Sequence, residues 1–133
     1  MRLAAIGDNC VDFMRGGWAY PGGNAVNVAV YGRQLGMDTA YLGWIGTDTF
    51  GDMMQEKLRG QGWKLSVCKE ERKTAVTYIE LLDGDRKFGE DFLNVMEGFQ
   101  LSGEDLRYLA DFDCVHMAVW GNAMPALANC RLQ

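Results

Sequence analysis

The feature that most constrains the fold is a pair of short apolar segments, each ended by a glycine. Leu3–Ile6 precedes Gly7, and Thr39–Ile45 precedes Gly46. Neither segment alternates regularly between polar and apolar residues, which is typical of strands buried on both faces of a parallel sheet. Residues 24–35, between them, carry apolar side chains at helical spacing. The sequence therefore predicts a strand–helix–strand unit.

The rest of the chain continues this alternation of helices and strands. Apolar residues at positions 50, 53, 54 and 58 predict a second helix. Ser102–Ala110 predicts a third, because its serine can cap a helix and an acidic residue stands three positions later. Cys114–Val119 follows as another strand. We therefore predict an α/β fold with a mostly parallel sheet flanked by helices.

Two hairpin patterns interrupt this alternation. In the first, at about residues 10–21, Gly16–Gly17 separates two short strand patterns. In the second, at about residues 63–90, Asp83–Gly84 forms the turn between a β-branched strand and its return strand. We expect the two segments to form one small β-appendage beside the main sheet.

Length, charge and hydropathy restrict the classes of function. A chain of 133 residues is long enough for one domain with its own core. The formal net charge of -5 and the lack of a Lys/Arg cluster argue against nucleic acid as a partner. No apolar run approaches the roughly 20 residues of a membrane span. The apolar start of the chain ends too early for a complete signal peptide, so we expect a cytoplasmic location.

The cysteines and the single histidine show no metal-binding or disulfide pattern. Cys10, Cys68, Cys114 and Cys130 are scattered, without a Cys-x-x-Cys pair, so reduced and mostly buried thiols are expected. His116 lies in an apolar strand pattern, which favours a buried core histidine over a catalytic one. We predict no metal site in this chain.

The stretch Gly22–Ala29 is the strongest candidate for a binding site. Its glycine pair lets a ligand approach the backbone, and the helix that begins there offers free N–H groups. Asn24 and Asn27 are three residues apart and therefore lie on one helical face. This arrangement suits a hydroxyl-rich ligand, and an ordinary glycine turn before a helix is the alternative.

In this stretch the sequence resembles the ribokinase-like (pfkB) carbohydrate kinases. The family's first signature combines a Gly-Gly pair, a nearby asparagine and later glycines at fixed spacing, and Gly22–Ala29, Gly36 and Gly46 match it. The likeness extends through Gly7–Asp12 and Val115–Gly121, and so over nearly the whole chain. Within the family, the sequence is most similar to kinases of fructosamines such as fructoselysine. The resemblance implies a ribokinase-like fold in which the β-appendage is a lid over the sugar.

The resemblance also implies which residues hold the sugar. Asp12 would accept hydrogen bonds from sugar hydroxyls, and Gly23, Asn24 and Asn27 would surround the same sugar. Asp8 is assigned to this site too, with a plain structural cap as an equally weighted alternative.

Weaker candidates lie in the lid and after the last strand. Arg86, near the lid turn, is interpreted as a solvated hairpin charge in preference to a substrate contact. Trp120–Asn122 follow a strand end, as the other site residues do, but Trp120 is favoured as a core residue.

The nucleotide part of the family's site has no counterpart in the sequence. The Gly-Ala-Gly-Asp motif, which carries the family's anion hole and catalytic base, does not occur. Gly46-x-x-x-x-Gly51 has the glycine spacing of a P-loop but lacks its Lys-Ser/Thr. Residues 1–133 are therefore interpreted as the N-terminal part of one ribokinase-like domain, without catalytic or cofactor-binding residues. ATP and Mg²⁺ are expected for the full-length enzyme.

The function and the substrate both have alternatives. The chain is interpreted as the sugar-binding half of a kinase that transfers the ATP γ-phosphate to a sugar hydroxyl. The alternative is a non-catalytic truncated fragment, or a sugar-binding or assembly module. The favoured substrate is a fructosamine, with another sugar or a nucleoside as the alternative. An uncovered sheet edge predicts association into a homo-oligomer.

Overall fold

The structure, a computed structural model, describes residues 1–61, 63–67 and 71–118. Helices and strands alternate along this part of the chain. The elements are β1 (Arg2–Ile6), β2 (Cys10–Met14), β3 (Trp18–Gly22), α1 (Asn24–Gln34), β4 (Asp38–Ile45), α2 (Thr49–Leu58), β5 (Lys64–Val67), β6 (Val76–Leu82), β7 (Asp85–Phe92), a 3-10 helix (Asn94–Gly98), α3 (Gly103–Leu109) and β8 (Cys114–Met117).

The main sheet contains four of the described strands in the order β5-β4-β1-β8. Every neighbouring pair is parallel, which confirms the predicted sheet. β1 lies inside the sheet, and four of its five residues are buried. At its carboxyl end the chain turns through Gly7, whose φ of 92° suits a glycine.

Both faces of the main sheet are covered, which explains why its strands are apolar without alternation. Ala5 and Ile6 point to opposite faces, and both are fully buried. On one face, Ala25, Val26 and Ala29 of α1 pack with Ala5 and Tyr41. On the other face, a second buried cluster combines strand residues with residues from the 3-10 helix, from α3 and from the segments beside them. Its members include Ile6, Leu42, Val95, Met96, Phe99 and Leu109.

The helix ends follow the signals in the sequence. Asp48 caps α2 by accepting a hydrogen bond from Gly51 N at 3.0 Å. At α3, the side chains and backbone of Ser102 and Asp105 form a reciprocal capping box. After α1, Gly36 adopts a φ of 86° and stops the helix. No helix in the described ranges is both long and apolar enough to cross a bilayer.

The two hairpins pair with each other in a second sheet of order β3-β2-β6-β7. Each hairpin is antiparallel, and the β2–β6 pair that joins them is parallel. Lys64–Val67 lies within the range 63–90 expected for the second hairpin, but it pairs with β4 in the main sheet. It pairs there with the edge of β4 that faces away from β1, and so extends the main sheet by one strand. The hairpin itself spans Val76–Phe92.

A buried cluster fastens the second sheet to the rest of the molecule. It combines Val11 and Val76 from the second sheet with Ile45 and Met54 from β4 and α2. The shared core fixes the second sheet relative to the carboxyl end of the main sheet.

The expectation of mostly buried thiols is wrong for Cys114. Cys114 is exposed; it begins β8, which pairs on one side only among the strands that the structure describes. Cys10 is half-buried, and both thiols are free. Cys68 and Cys130 lie outside the described residues.

Candidate functional site

A cavity of about 510 Å³ lies between the carboxyl end of β1, the start of α1 and the second sheet. The five residues assigned to the site from the sequence all line it: Asp8, Asp12, Gly23, Asn24 and Asn27. The second hairpin adds four side chains, of which the sequence had suggested Arg86 alone: Thr77, Arg86, Phe88 and Asp91. The carboxyl edge of a parallel sheet is where α/β folds commonly bind ligands.

The turn after β1 is held by a buried hydrogen-bond network. Tyr41 Oη donates to Gly7 O at 2.6 Å and accepts from Asn9 Nδ2 at 2.7 Å. Asn9 Nδ2 also donates to Trp44 O at 2.8 Å. Burial raises the pKa of Tyr41, so its hydroxyl remains a donor at neutral pH. Sequence reasoning missed Asn9 and Tyr41, because only the folded sheet brings them together.

Asp8 caps α1 from outside the helix. The N-cap residue, Gly23, has no side chain to cap with, and Asp8 Oδ2 accepts the hydrogen bond from Asn24 N at 2.7 Å. Burial raises the pKa of Asp8, and the charges of Asp91 and Asp12 raise it further, whereas the hydrogen bond from Asn24 lowers it. Asp8 therefore caps α1, as the structural alternative predicted, and it also lines the cavity.

The glycine pair lies in close contact with its surroundings. Gly23 has a φ of 103°, and a Cβ there would lie 2.6 Å from the Cα of Asn9. A Cβ at Gly22 would lie 2.6 Å from the carboxyl carbon of Asp12. At Gly23 the contact is with backbone, so this position requires glycine, whereas at Gly22 the side chain of Asp12 would have to shift.

Polar side chains form a row across the second sheet. Asp12 is in register with Thr77, and Thr77 is in register with Asp91, so the three lie on one face. Thr77 Oγ1 donates to Asp91 Oδ1 at 2.8 Å. Beside this row, burial and the Asp12 carboxylate raise the pKa of the Cys10 thiol to about 12. Cys10 is therefore a poor nucleophile.

The prediction of a buried core histidine at position 116 is wrong. His116 is half-buried, and its Nε2 lies 2.6 Å from Oδ1 of Asn24. It is accessible because β8 is an edge strand of the described main sheet. Trp120–Asn122, the weaker candidates beyond this strand, lie outside the described residues.

The loop from Gly46 to Gly51 is closed around a carboxylate. Asp48 accepts hydrogen bonds from Gly51 N at 3.0 Å, Thr74 N at 3.1 Å and Thr74 Oγ1 at 2.6 Å. Gly46 N donates to Thr74 Oγ1 at 3.0 Å. The backbone N–H groups of both glycines are thus used internally, which supports the rejection of a P-loop here.

The charges that line the cavity are predominantly acidic. Asp8, Asp12 and Asp91 contribute carboxylates, and Arg86 contributes a guanidinium from an exposed position. In the described ranges, no three His, Cys, Asp or Glu side chains are grouped so as to hold a metal ion. The cavity can therefore accept hydrogen bonds from hydroxyls and attract a cationic group.

A family model described as "pfkB family carbohydrate kinase" matches residues 9–131. The chain belongs to this family. The match confirms the resemblance seen around the glycine pair. Membership of a kinase family implies ATP as the phosphoryl donor of the family's reaction.

Curated relatives place the chain near kinases of modified sugars. It is 44% identical over 126 residues to "Fructoselysine 6-kinase" of Escherichia coli, which covers 93% of this chain and 48% of that protein. It is 29% identical over 138 residues to "Fructosamine kinase FrlD" of Bacillus subtilis, which covers 97% of this chain and 49% of that protein. The pfkB-family chain thus spans about half the length of the curated relatives it matches.

Solved structures confirm the ribokinase-like fold. Ribokinase from Thermotoga maritima superimposes with a TM-score of 0.72 at 18% identity, over 86% of this chain and 44% of the other. Adenosine kinase from Sinorhizobium meliloti gives a TM-score of 0.73 at 19% identity, over 87% of this chain and 46% of the other. At these identities the likeness concerns the fold.

Proposed function

We propose that this chain is the sugar-binding half of an ATP-dependent carbohydrate kinase, with a fructosamine as its preferred class of substrate. The observation that carries the proposal is the convergence of Asp8, Asp12, Asn24 and Asn27 on one cavity. These residues come from a strand end, a hairpin and a helix, and the backbone around them is shaped by a glycine pair.

The cavity offers both hydrogen-bonding roles that sugar hydroxyls require. The Asp12 carboxylate accepts hydrogen bonds, and a charge-assisted bond of this kind is among the stronger ones available. The side-chain amides of Asn24 and Asn27 can donate as well as accept. A hydroxyl is itself both donor and acceptor, so a sugar can satisfy both kinds of group at once.

The acidic lining favours a substrate that carries an amine. A fructosamine is a ketose with an amino group on its first carbon, and that group is cationic when protonated. Three carboxylates face one guanidinium around the cavity, so an ammonium would relieve the repulsion among Asp8, Asp12 and Asp91. Neutral fructose or ribose would lack this attraction. Two curated relatives are named for fructoselysine and fructosamine substrates.

The second sheet would act as the lid over the sugar. Thr77, Phe88 and Asp91 line the cavity from this sheet, opposite the helix that carries Asn24. A cover of this kind excludes water, which would otherwise compete with the sugar hydroxyl as phosphoryl acceptor. The role proposed for these residues is to bind and orient the sugar.

Self-association is a further part of the proposal. Large apolar side chains of the second sheet are exposed, among them Trp18 at 68% and Phe88 at 65%. Exposed apolar groups of this size favour burial against another copy. Light scattering over a range of concentrations should show a dimer or larger species, and a monomer throughout would contradict this part.

The test is calorimetry with fructoselysine, fructose and ribose, together with an assay of ATP-dependent phosphorylation on the same sample. We expect binding, with fructoselysine strongest. Asp12→Asn should abolish or strongly weaken it, whereas Glu56→Gln on the exposed face of α2 should not. Binding without turnover would support a sugar-binding half. Phosphorylation by the chain alone would contradict the proposal that it provides only the sugar-binding half. The absence of both sugar binding and phosphorylation would favour a non-catalytic fragment.

A further inference from the structure

His116 contacts the proposed sugar site from the opposite end of the described chain. Its Nε2 lies 2.6 Å from Oδ1 of Asn24, across 92 residues of sequence. The contact follows from the sheet register, because His116 is paired with Ala5, whose side chain packs against α1. His116 therefore points to the α1 side of the sheet, where Asn24 begins the helix.

The contact pairs an amide oxygen of Asn24 with a ring nitrogen of His116. Because an amide oxygen can only accept, this pair forms a hydrogen bond in the tautomer that carries a proton on Nε2. With Oδ1 held in this way, the free end of the Asn24 amide is Nδ2. No described residue accepts a hydrogen bond from Nδ2, and Asn24 lines the cavity.

We propose that His116 is a positioning residue that holds the Asn24 amide with its Nδ2 directed at the sugar. The proposal rests on the proposed sugar-binding function. It assigns Asn24 as a donor to a ligand oxygen, beside the acceptors Asp8 and Asp12. Without His116 the amide could rotate and present Oδ1, a further acceptor, to the same ligand atom. Holding the group in advance reduces the entropy lost on binding.

The ring proton can be tested without any sugar. His116 is the sole histidine of the chain, so nitrogen-15 spectra of untagged protein contain a single imidazole. We expect the neutral ring to be protonated on Nε2 in the wild type, and Asn24→Ala to shift both ring nitrogens. A ring protonated on Nδ1, or spectra that Asn24→Ala leaves unchanged, would overturn the proposal.

Calorimetry tests the positioning role. His116→Leu removes the donor at similar size and should weaken sugar binding roughly 3- to 10-fold, the effect of one net hydrogen bond. His116→Gln supplies a new N–H donor and should recover part of that loss. Thermal melts of both variants check that they fold. Equal affinity in folded His116→Leu and wild type would contradict the role.

A double-mutant cycle separates positioning from general packing. In the Asn24→Ala background, His116→Leu should have almost no further effect on affinity, because its partner is already absent. Additive losses would show that His116 acts elsewhere. If the wild-type chain binds none of the three sugars, the proposed function fails and the positioning role falls with it, even where the spectra show the bond.

Discussion

The carboxylate of Asp8 accepts a hydrogen bond from the backbone N–H of Asn24 at 2.7 Å, and so joins the end of β1 to the start of α1. Gly23, at the N-cap, has no side chain for this purpose. A capping carboxylate near a helix N-terminus is also favoured by the helix dipole. Both residues of this helix cap also line the cavity that we propose binds sugar.

Removal of this cap should destabilise the fold. Asp8→Ala is expected to lower the free energy of unfolding by about 1 kcal/mol, the usual cost of a lost cap, and Asp8→Asn by less because its oxygen can still accept. Urea denaturation of both variants measures the difference. A loss in Asp8→Asn as large as in Asp8→Ala would argue against a capping role.

Asp8 also predicts a pH dependence of stability. Burial and the nearby Asp91 and Asp12 raise its pKa above the ordinary value of 3.8. The folded state therefore binds this proton more tightly, and the free energy of unfolding, compared with Asp8→Asn, should increase as the pH falls through the raised pKa towards 3.8. The gain disappears as the pH rises again.

Urea midpoints for the wild type and Asp8→Asn between neutral and acid pH measure this contribution. Asp91→Asn should reduce it, because one of the charges that raise the Asp8 pKa is then absent. A difference that stays constant with pH would contradict the raised pKa.

The two described cysteines should differ in reactivity. Cys10 is half-buried with a pKa raised to about 12 by burial and by Asp12, whereas Cys114 is exposed. Alkylation by iodoacetamide at pH 8 should therefore modify Cys114 well before Cys10. Peptide mass spectrometry follows each site, and denatured protein provides the control in which both react. Equal rates in the folded chain would disprove the difference.

Two glycines with positive φ offer a matched comparison. At Gly36, with φ of 86°, an added Cβ meets nothing within 4 Å, so Gly36→Ala should cost about 1 kcal/mol through backbone strain alone. At Gly23, with φ of 103°, the Cβ would also collide with the backbone of Asn9 and Asp8. Gly23→Ala should therefore be more destabilising by roughly 1–3 kcal/mol. Equal unfolding free energies would argue against the close approach at Gly23.

Asp91 should govern the preference for an amine-bearing sugar. Asp91→Asn removes one of the three cavity carboxylates but keeps an acceptor for Thr77. We expect weaker binding of fructoselysine with little change for fructose, and so a smaller ratio of the two affinities. Glu90→Gln, on the same strand but outside the cavity lining, is the control. An unchanged ratio would remove Asp91 from amine recognition.

Local patterns were sufficient for most elements of the fold. The apolar runs before Gly7 and Gly46 predicted two strands of the parallel sheet, and the turn at Asp83–Gly84 predicted the second hairpin. β5 was missed, because four residues carry too little pattern and the strand is defined by its pairing with β4. Position 116 was misjudged for a similar reason, since an apolar neighbourhood in sequence does not show that its strand lies at the edge of the described sheet.

The sequence by itself determined the α/β class, the capped helices and the family, because periodicity, glycine spacing and caps act over a few residues. It also named five residues that share the cavity. Only the tertiary structure decided that Asp8 caps α1, that Thr77 and Asp91 extend the row begun by Asp12, and that His116 reaches Asn24. These contacts depend on strand order and register, which arise from packing between segments far apart in the chain.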